Sequence, residues 1–404
     1  MDSLDWSGRL ARRAHELRHS AVRELLKITE QPDFISFGGG MPAPELFPIE
    51  SIAEASARVL RDRGSTALQY GTTEGYRPLR NWITEHLRAD GVPCEPENVL
   101  ITTGSQQALD LLGKLFVDRG DPVLVESPTY LAVLQAWHAY GARYHTVAAD
   151  DEGMVVDGLE PRLRAERPRV IYCVPNFQNP SGVTLTTARR ESLVRQAGAA
   201  GIPVVEDDPY RALRYEGDDL IRLQALDPAN VVGLGSFSKL LAPGLRVGWA
   251  AGPHAVIDKM VLAKQSTDLH TSTFNQMIVY ECLRMGVLEL GLPRLRAAYR
   301  SRRDAMLEAV ARYFPSEVRW TRPAGGMFLW VTLPAHMDAA ELLARALVER
   351  VAFVPGAAFH ADGGGRNTFR LNFSNMSEDM IAIGVERLGR LLATVGDPLR
   401  AAAI

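Results

Sequence analysis

Between Val99 and Glu206 the chain repeats one pattern: a short, uninterrupted apolar run followed by a stretch of helical period. Strands are predicted at Val99–Thr103, Pro122–Glu126, Arg143–Val147, Val170–Val174 and Ile202–Glu206. Helices are predicted after Gly104-Ser105, over Thr129–Tyr140, over Gly158–Glu166 and over Ala188–Ala200. Strands that are apolar on both faces, joined by helices, dictate a mainly parallel sheet covered on each side, a three-layer α/β sandwich. In such a sheet the ligand crevice lies outside the carboxyl ends of the strands.

That rule turns loop residues into candidates. Ser105 opens a helix directly after a strand, where free amide groups and the positive end of the helix dipole favour an anion. Tyr130 starts the next helix, Asn179 follows the fourth strand, and Asp207 and Tyr210 follow the fifth. Farther on, the apolar Val231–Leu234 leads into Ser236-Phe237-Ser238-Lys239, and a Pro-Gly turn separates Lys239 from a lone Arg246 ahead of the apolar Val247–Ala251. Two hydroxyls and a guanidinium fork are a good set for a phosphate, though a plain strand-turn-strand would read the same. A lysine beside a cation, with no acid near it in sequence, is easily deprotonated, as a Schiff-base lysine must be. Each residue also has an ordinary reading: Ser105 as a helix cap, Asn179 as a turn residue before proline, the tyrosines as packing, Lys239 as a surface lysine. Their convergence on one sheet edge favours the chemical reading.

Outside this region, Ala11–Thr29 reads as an arginine-rich amphipathic helix. It contains His15-Glu16-Leu17-Arg18-His19, a formal match to a zinc-protease motif. Four arginines around it, Arg12, Arg13, Arg18 and Arg23, would repel a dication, so no metal is expected. Gly38-Gly39-Gly40 marks a backbone that something approaches closely, or simply a mobile loop. After Gly252-Pro253 a long helical region runs towards Tyr313, with interruptions expected near Gly286 and Pro293. The remainder predicts a small α+β unit with strands at Met327–Val331 and Thr368–Phe373 and a helix at Ala339–Arg350. Arg370 lies inside the last strand; an arginine there is usually edge-exposed, whereas a buried one needs an anion such as a substrate carboxylate.

At 404 residues two units are the natural expectation. These are a large domain (43–271) and a small one made of the linker helix and C-terminal part (272–404), with the N-terminal arm (1–42) packing with it and the active site. With 48 acidic and 45 basic side chains the net charge is -3, which favours neither nucleic acid nor an anionic membrane. Three dispersed cysteines and an acidic N-terminus lacking signal-peptide features suit a cytoplasmic protein.

Taken together, Gly38 to Pro42, Tyr70-Gly71, Gly104 to Gln107, Pro175 to Gly182, Glu206 to Tyr210, Ser236 to Lys239, Leu269 to Gln276, Gly325 to Phe328 and Arg370 to Phe373 resemble the fold type I, pyridoxal-phosphate-dependent aminotransferases of class I and II, aminoadipate/kynurenine branch. Ser181 departs from the threonine common at that place. The resemblance implies that Lys239 holds the cofactor covalently and then moves protons, and that Asp207 pairs with the ring nitrogen. Tyr210 and Asn179 bond the ring oxygen, and Tyr130 stacks on the ring. Ser105, Gln106, Ser236, Ser238 and Arg246 hold the phosphate, with Tyr70 reaching in from a second subunit of a homodimer. Arg370 clamps the substrate carboxylate, and Gly39 lets the arm close over the site. The implied reaction moves the amino group of an L-amino acid to a 2-oxo acid, 2-oxoglutarate foremost. Other outcomes on the same cofactor (oxidation, decarboxylation, β-elimination, racemisation) stay open here. A regulator of this fold would need a DNA-binding domain that the 37 residues before Gly38 cannot form. A serine hydrolase would need S-D-N and K-T-G elements beside the formal S-x-x-K match at Ser236–Lys239, and neither is present.

Overall fold

The computed structural model describes residues 6–15, 25, 31 and 33–395. The predicted helix Ala11–Thr29, with Glu16 to His19 of the zinc-like motif, lies largely outside them; its described part is helical over Arg12–His15.

The alternating region forms an eight-stranded sheet. Its strands run, from one edge to the other, Val99–Thr102, Gly248–Ala251, Val231–Ser236, Val204–Asp207, Ile171–Cys173, Pro122–Ser127, Arg143–Asp150 and Gly153–Met154. The inner pairings are parallel, whereas Gly248–Ala251 runs antiparallel to both its neighbours and Gly153–Met154 is an antiparallel edge. Side chains alternate across the sheet with period two. Val123, Val125, Tyr172, Val205 and Val232 face one layer, packing with Ala108, Leu112, Val133 and Trp137 of the helices Ser105–Phe116 and Leu131–His138. Leu124, Ile171, Cys173, Val204 and Val231 face the other, against Leu159, Leu163, Leu193 and Ala197 of the helices Leu159–Glu166 and Thr187–Ala200. Each fully buried aliphatic side chain contributes roughly 1.5–3 kcal/mol. The continuous apolar runs therefore supply both cores at once, and a half-polar strand could not.

A four-stranded antiparallel sheet follows, ordered Arg319–Trp320, Phe328–Thr332, Thr368–Asn372, Val354–Pro355. Leu329, Val331, Phe369 and Leu371 point to its own core with Leu342, Val385 and Leu388 of the helices Ala339–Val348 and Glu378–Val395. The opposite face carries Phe328, Trp330 and Arg370, with Arg370 paired in register to Trp330. The N-terminal segment joins this part, since Ile35–Ser36 pairs in parallel with Val351–Ala352.

Between the sheets the helices are His254–Gln265, Thr273–Arg284 and Val287–Tyr313. The chain breaks at Gly286, as expected, and also over 266–272, where no glycine or proline announces it. Pro293 does not interrupt the last helix. Leu295 and Tyr299 of that helix pack into the large sheet's core and Met306, Ala309 and Val310 into the small one, so the two cores meet along a single rod. The boundary expected at 271/272 precedes one helix, Thr273–Arg284, whose Ile278, Val279 and Cys282 pack with Val99, Ile101 and Trp249 of the large sheet. Among the described residues, no helix is long and apolar enough to cross a membrane.

Candidate active site

A cavity of about 730 Å³ opens at the carboxyl ends of the large sheet's strands, under the face of the small sheet that carries Arg370. Ser105, Gln106, Tyr130, Asn179, Asp207, Tyr210, Ser236, Ser238, Lys239, Arg246 and Arg370, the side chains singled out in the sequence, all line it. Two residues of the expected set do not. Gly39 is buried but not on the wall; its neighbours make the contacts, the Gly38 carbonyl accepting from Arg370 Nη2 at 2.7 Å and the Gly40 carbonyl from Lys239 Nζ at 2.6 Å. Tyr70 is 79% exposed at the surface, edge-on to His270 at 5.8 Å.

Lys239 closes the three-residue turn Phe237–Lys239 that follows the Val231–Ser236 strand. Burial first, and then the guanidinium groups of Arg370 and Arg246, hold its ammonium down to about 8. The amine is therefore partly neutral near neutral pH, the state a nucleophile needs. Asp207 ends the Val204–Asp207 strand on the same face as Val205 and is 1% exposed. Its Oδ2 accepts from the Tyr172 hydroxyl at 2.8 Å, while Oδ1 is buried with no partner among the described residues. Burial raises this carboxyl to about 7, against the Tyr172 hydrogen bond and with help from Asp208. A carboxylate in that position suits a cationic partner.

The Thr103-Gly104-Ser105 turn suits an anion. Gly104, at φ 75°, is the N-cap of the helix Ser105–Phe116, so Ser105 is its first residue and not its cap. The Ser105 Oγ is buried and, among the described residues, unpartnered. Across the turn, Arg246 sits in the left-handed region at φ 52° and donates from Nη2 to the Thr103 carbonyl at 3.1 Å. A methyl at Gly104 would run into that guanidinium, so only glycine lets the two approach. Ser236 and Ser238 hydroxyls, 2.9 Å apart, complete the cluster.

Arg370 is the third unsatisfied group. Its Nη1 donates to Asn179 Oδ1 at 2.7 Å, and Nε is buried without a partner among the described residues. Its guanidinium lies between Phe328 and Phe359, 4.3 and 5.0 Å from the ring centroids. Burial lowers its pKa to about 10, with Tyr210 and Tyr130 opposing. Asn179 also donates to the Tyr210 hydroxyl at 3.4 Å, and burial pushes the Tyr130 phenol up to about 12. Gln178 fixes the loop that carries Asn179, accepting from Ser181 N and Oγ at 2.8 and 2.7 Å, so serine fills the departing position with its hydroxyl bonded.

An unpartnered hydroxyl at a helix start, an unpartnered carboxylate oxygen and an unpartnered guanidinium N–H around one cavity suit a ligand with a phosphate, a cationic ring nitrogen and a carboxylate-bearing substrate. Two contributors have no signature in the sequence: Tyr172 looks like an ordinary strand aromatic and Phe359 like core. The carbonyls of Gly38 and Gly40 lie in the glycine run, but no side chain there names the groups they hold.

The family model for aminotransferase class I and II matches residues 32–388. A 2-aminoadipate transaminase of Thermus thermophilus is 50% identical over 396 residues, covering 97% of this chain and 98% of that one. The crystal structure of the alpha-aminoadipate aminotransferase LysN from Thermus thermophilus, complexed with N-(5'-phosphopyridoxyl)-L-leucine, has a TM-score of 0.91 at 47% identity, covering 99% and 100% of the two chains. That of Pyrococcus horikoshii kynurenine aminotransferase, in complex with PMP, has a TM-score of 0.93 at 45% identity, covering 96% and 98%. The cavity's chemistry and these matches agree: the chain belongs to the class I and II aminotransferases, in the aminoadipate/kynurenine-like branch.

Proposed function

We propose that the cavity holds pyridoxal phosphate and that the chain transfers the amino group of an L-amino acid to 2-oxoglutarate. The observation that supports this most directly is the placing, across one cavity, of Lys239, whose ammonium is held down to about 8, and an Asp207 oxygen with no partner among the described residues. Bound there, the cofactor supplies an electron sink for the pair left behind at the substrate α-carbon. Lys239 Nζ would anchor it and, once freed by the incoming amino group, would take the proton from the substrate α-carbon and deliver it to the cofactor carbon that had held the lysine. Asp207 Oδ1 holds the proton of the ring nitrogen, and Tyr172 keeps the carboxylate oriented. Tyr210 and Asn179 donate to the ring oxygen, and Tyr130 packs on the ring. Ser105, Gln106, Ser236, Ser238 and Arg246 receive the phosphate. Arg370 receives the substrate carboxylate, with its plane fixed by Asn179 and the two phenylalanines. Tyr70, exposed on its own protomer, completes the phosphate site of a second copy in a homodimer. Leu131, Ala132, Phe359 and the neutral Gln135 border the space left for the substrate side chain, and L-2-aminoadipate and aromatic amino acids are the first donors to screen.

The test is spectroscopic. Purified protein given pyridoxal phosphate should turn yellow, and borohydride should fix the cofactor on Lys239, located by peptide mass. An amino acid alone should change the absorbance, and 2-oxoglutarate should restore it. Protein that stays colourless, or traps the cofactor elsewhere, refutes the assignment.

A further inference from the structure

Behind the Thr103-Gly104-Ser105 turn lies a polar group that none of the chemistry above employs. Lys264, in the helix His254–Gln265, has a fully buried side chain. Its Nζ donates to both carboxylate oxygens of Asp268 at 2.8 Å and to Gln107 Oε1 at 2.6 Å. Gln107 Nε2 donates to Asp268 Oδ2 at 2.6 Å, and Gln107 Oε1 also accepts from the Thr103 backbone N–H at 2.8 Å. The Thr103 hydroxyl donates to Asp268 Oδ2 at 3.2 Å and lies 3.1 Å from the Thr271 hydroxyl. On its other side Thr103 offers its carbonyl to Arg246. Thr103 is thus gripped at its N–H and its hydroxyl by this group, while its carbonyl holds the arginine of the anion cluster.

Burying the Lys264 ammonium is costly unless it is paired, and it is paired with Asp268, whose side chain stays 28% exposed. Such a network does fix positions more narrowly than apolar packing, because each member has a single satisfied geometry. The position fixed is that of the cradle, since Gln106 and Ser105 face the cavity from the same helical turn whose Gln107 faces the network. We propose that Lys264, Asp268 and Gln107 form a strut that positions the phosphate cradle, setting Ser105 and the first helical amides directly and Arg246 through the Thr103 carbonyl. The inference rests on reading Ser105, Ser236, Ser238 and Arg246 as the phosphate site.

The discriminating measurement compares two ligands that differ only in the phosphate. Dissociation constants of pyridoxal phosphate and of pyridoxal are measured by absorbance for the unsubstituted protein, Lys264→Met, Gln107→Met and the reference variant Arg246→Gln. A strut variant should weaken pyridoxal phosphate roughly ten-fold or more, the scale of one lost charge-assisted hydrogen bond, and leave pyridoxal unchanged. Equal weakening of both ligands, or of neither, overturns the strut. If Arg246→Gln loses no preference for the phosphorylated ligand, the phosphate-site reading itself fails. If it loses that preference while both strut variants keep it, only the strut falls. Should Lys264→Met not fold, Gln107→Met decides, because it is close in length and leaves the Lys264–Asp268 pair in place.

Discussion

Replacing Asp207 by asparagine in the cofactor-free protein tests the electrostatics of the site most sharply. The carboxyl is 1% exposed, keeps one hydrogen bond from Tyr172, and has one oxygen without a partner among the described residues. Its pKa is raised from 3.8 to about 7, burial being the main cause. A folded-state pKa above the unfolded one means that the folded protein binds the proton more tightly. The group's contribution is then fully favourable below about 3.8 and is lost as the pH rises through about 7. Moving the pKa from 3.8 to about 7, at about 1.4 kcal/mol per tenfold change in proton affinity, makes the ionised carboxylate cost about 4 kcal/mol by pH 8. Asparagine has nearly the same shape, still offers an oxygen to Tyr172, and never ionises. In urea unfolding of cofactor-free protein, the variant and its parent should be nearly equal at about pH 4. By about pH 8 the variant should be more stable by about 4 kcal/mol. All other titrating groups cancel in the difference. With pyridoxal phosphate bound the order should invert, because the parent alone then has a cation for its charge. A stability difference that stays flat from acid to neutral pH would refute an unpaired carboxylate at this place.

Lys239→Ala should abolish turnover and borohydride trapping while leaving the circular dichroism spectrum unchanged; retained multiple turnover would overturn the assignment of the base. Arg370→Lys should raise the KM for amino acid roughly ten-fold to a hundred-fold, since an ammonium cannot make the bidentate contact, and an unchanged KM would remove Arg370 from the carboxylate site. Gly104→Ala should weaken pyridoxal phosphate in direct titration, because its methyl displaces the Arg246 guanidinium and φ 75° disfavours any side chain. Unchanged affinity would show that the approach of these two groups does not matter.

The layered sheet was legible because Val123-Leu124-Val125 and the strands like it must bury both faces, and only helices on either side allow that. The edge carrying the chemistry was legible for the same reason, since Asp207 and Ser236 are simply where two parallel strands stop. Arg370 was legible as a conflict, a charge in an apolar strand, which the structure resolves by placing it opposite Trp330 in a central strand. Pro293 misled because a proline ring normally ends a helix, whereas the packing of Leu295 and Tyr299 carries this one through. Tyr172 stayed hidden because nothing local distinguishes a tyrosine that packs from one that also reaches a carboxylate on the neighbouring strand. The strut of Lys264, Asp268 and Gln107 stayed hidden because its members meet only in the folded chain.

Two of the grips on this site are made by main-chain oxygens, Gly38 to Arg370 and Gly40 to Lys239. Every amino acid carries that oxygen, so an alanine scan of the segment would report only whether a methyl fits, beside Leu25 at position 38 and Phe328 at position 40. Composition there is policed by room rather than by reactivity. Exposing the grips themselves calls for an edit of the backbone, such as an ester in place of one amide, which alters the electron density on the carbonyl while leaving the side chains as they are.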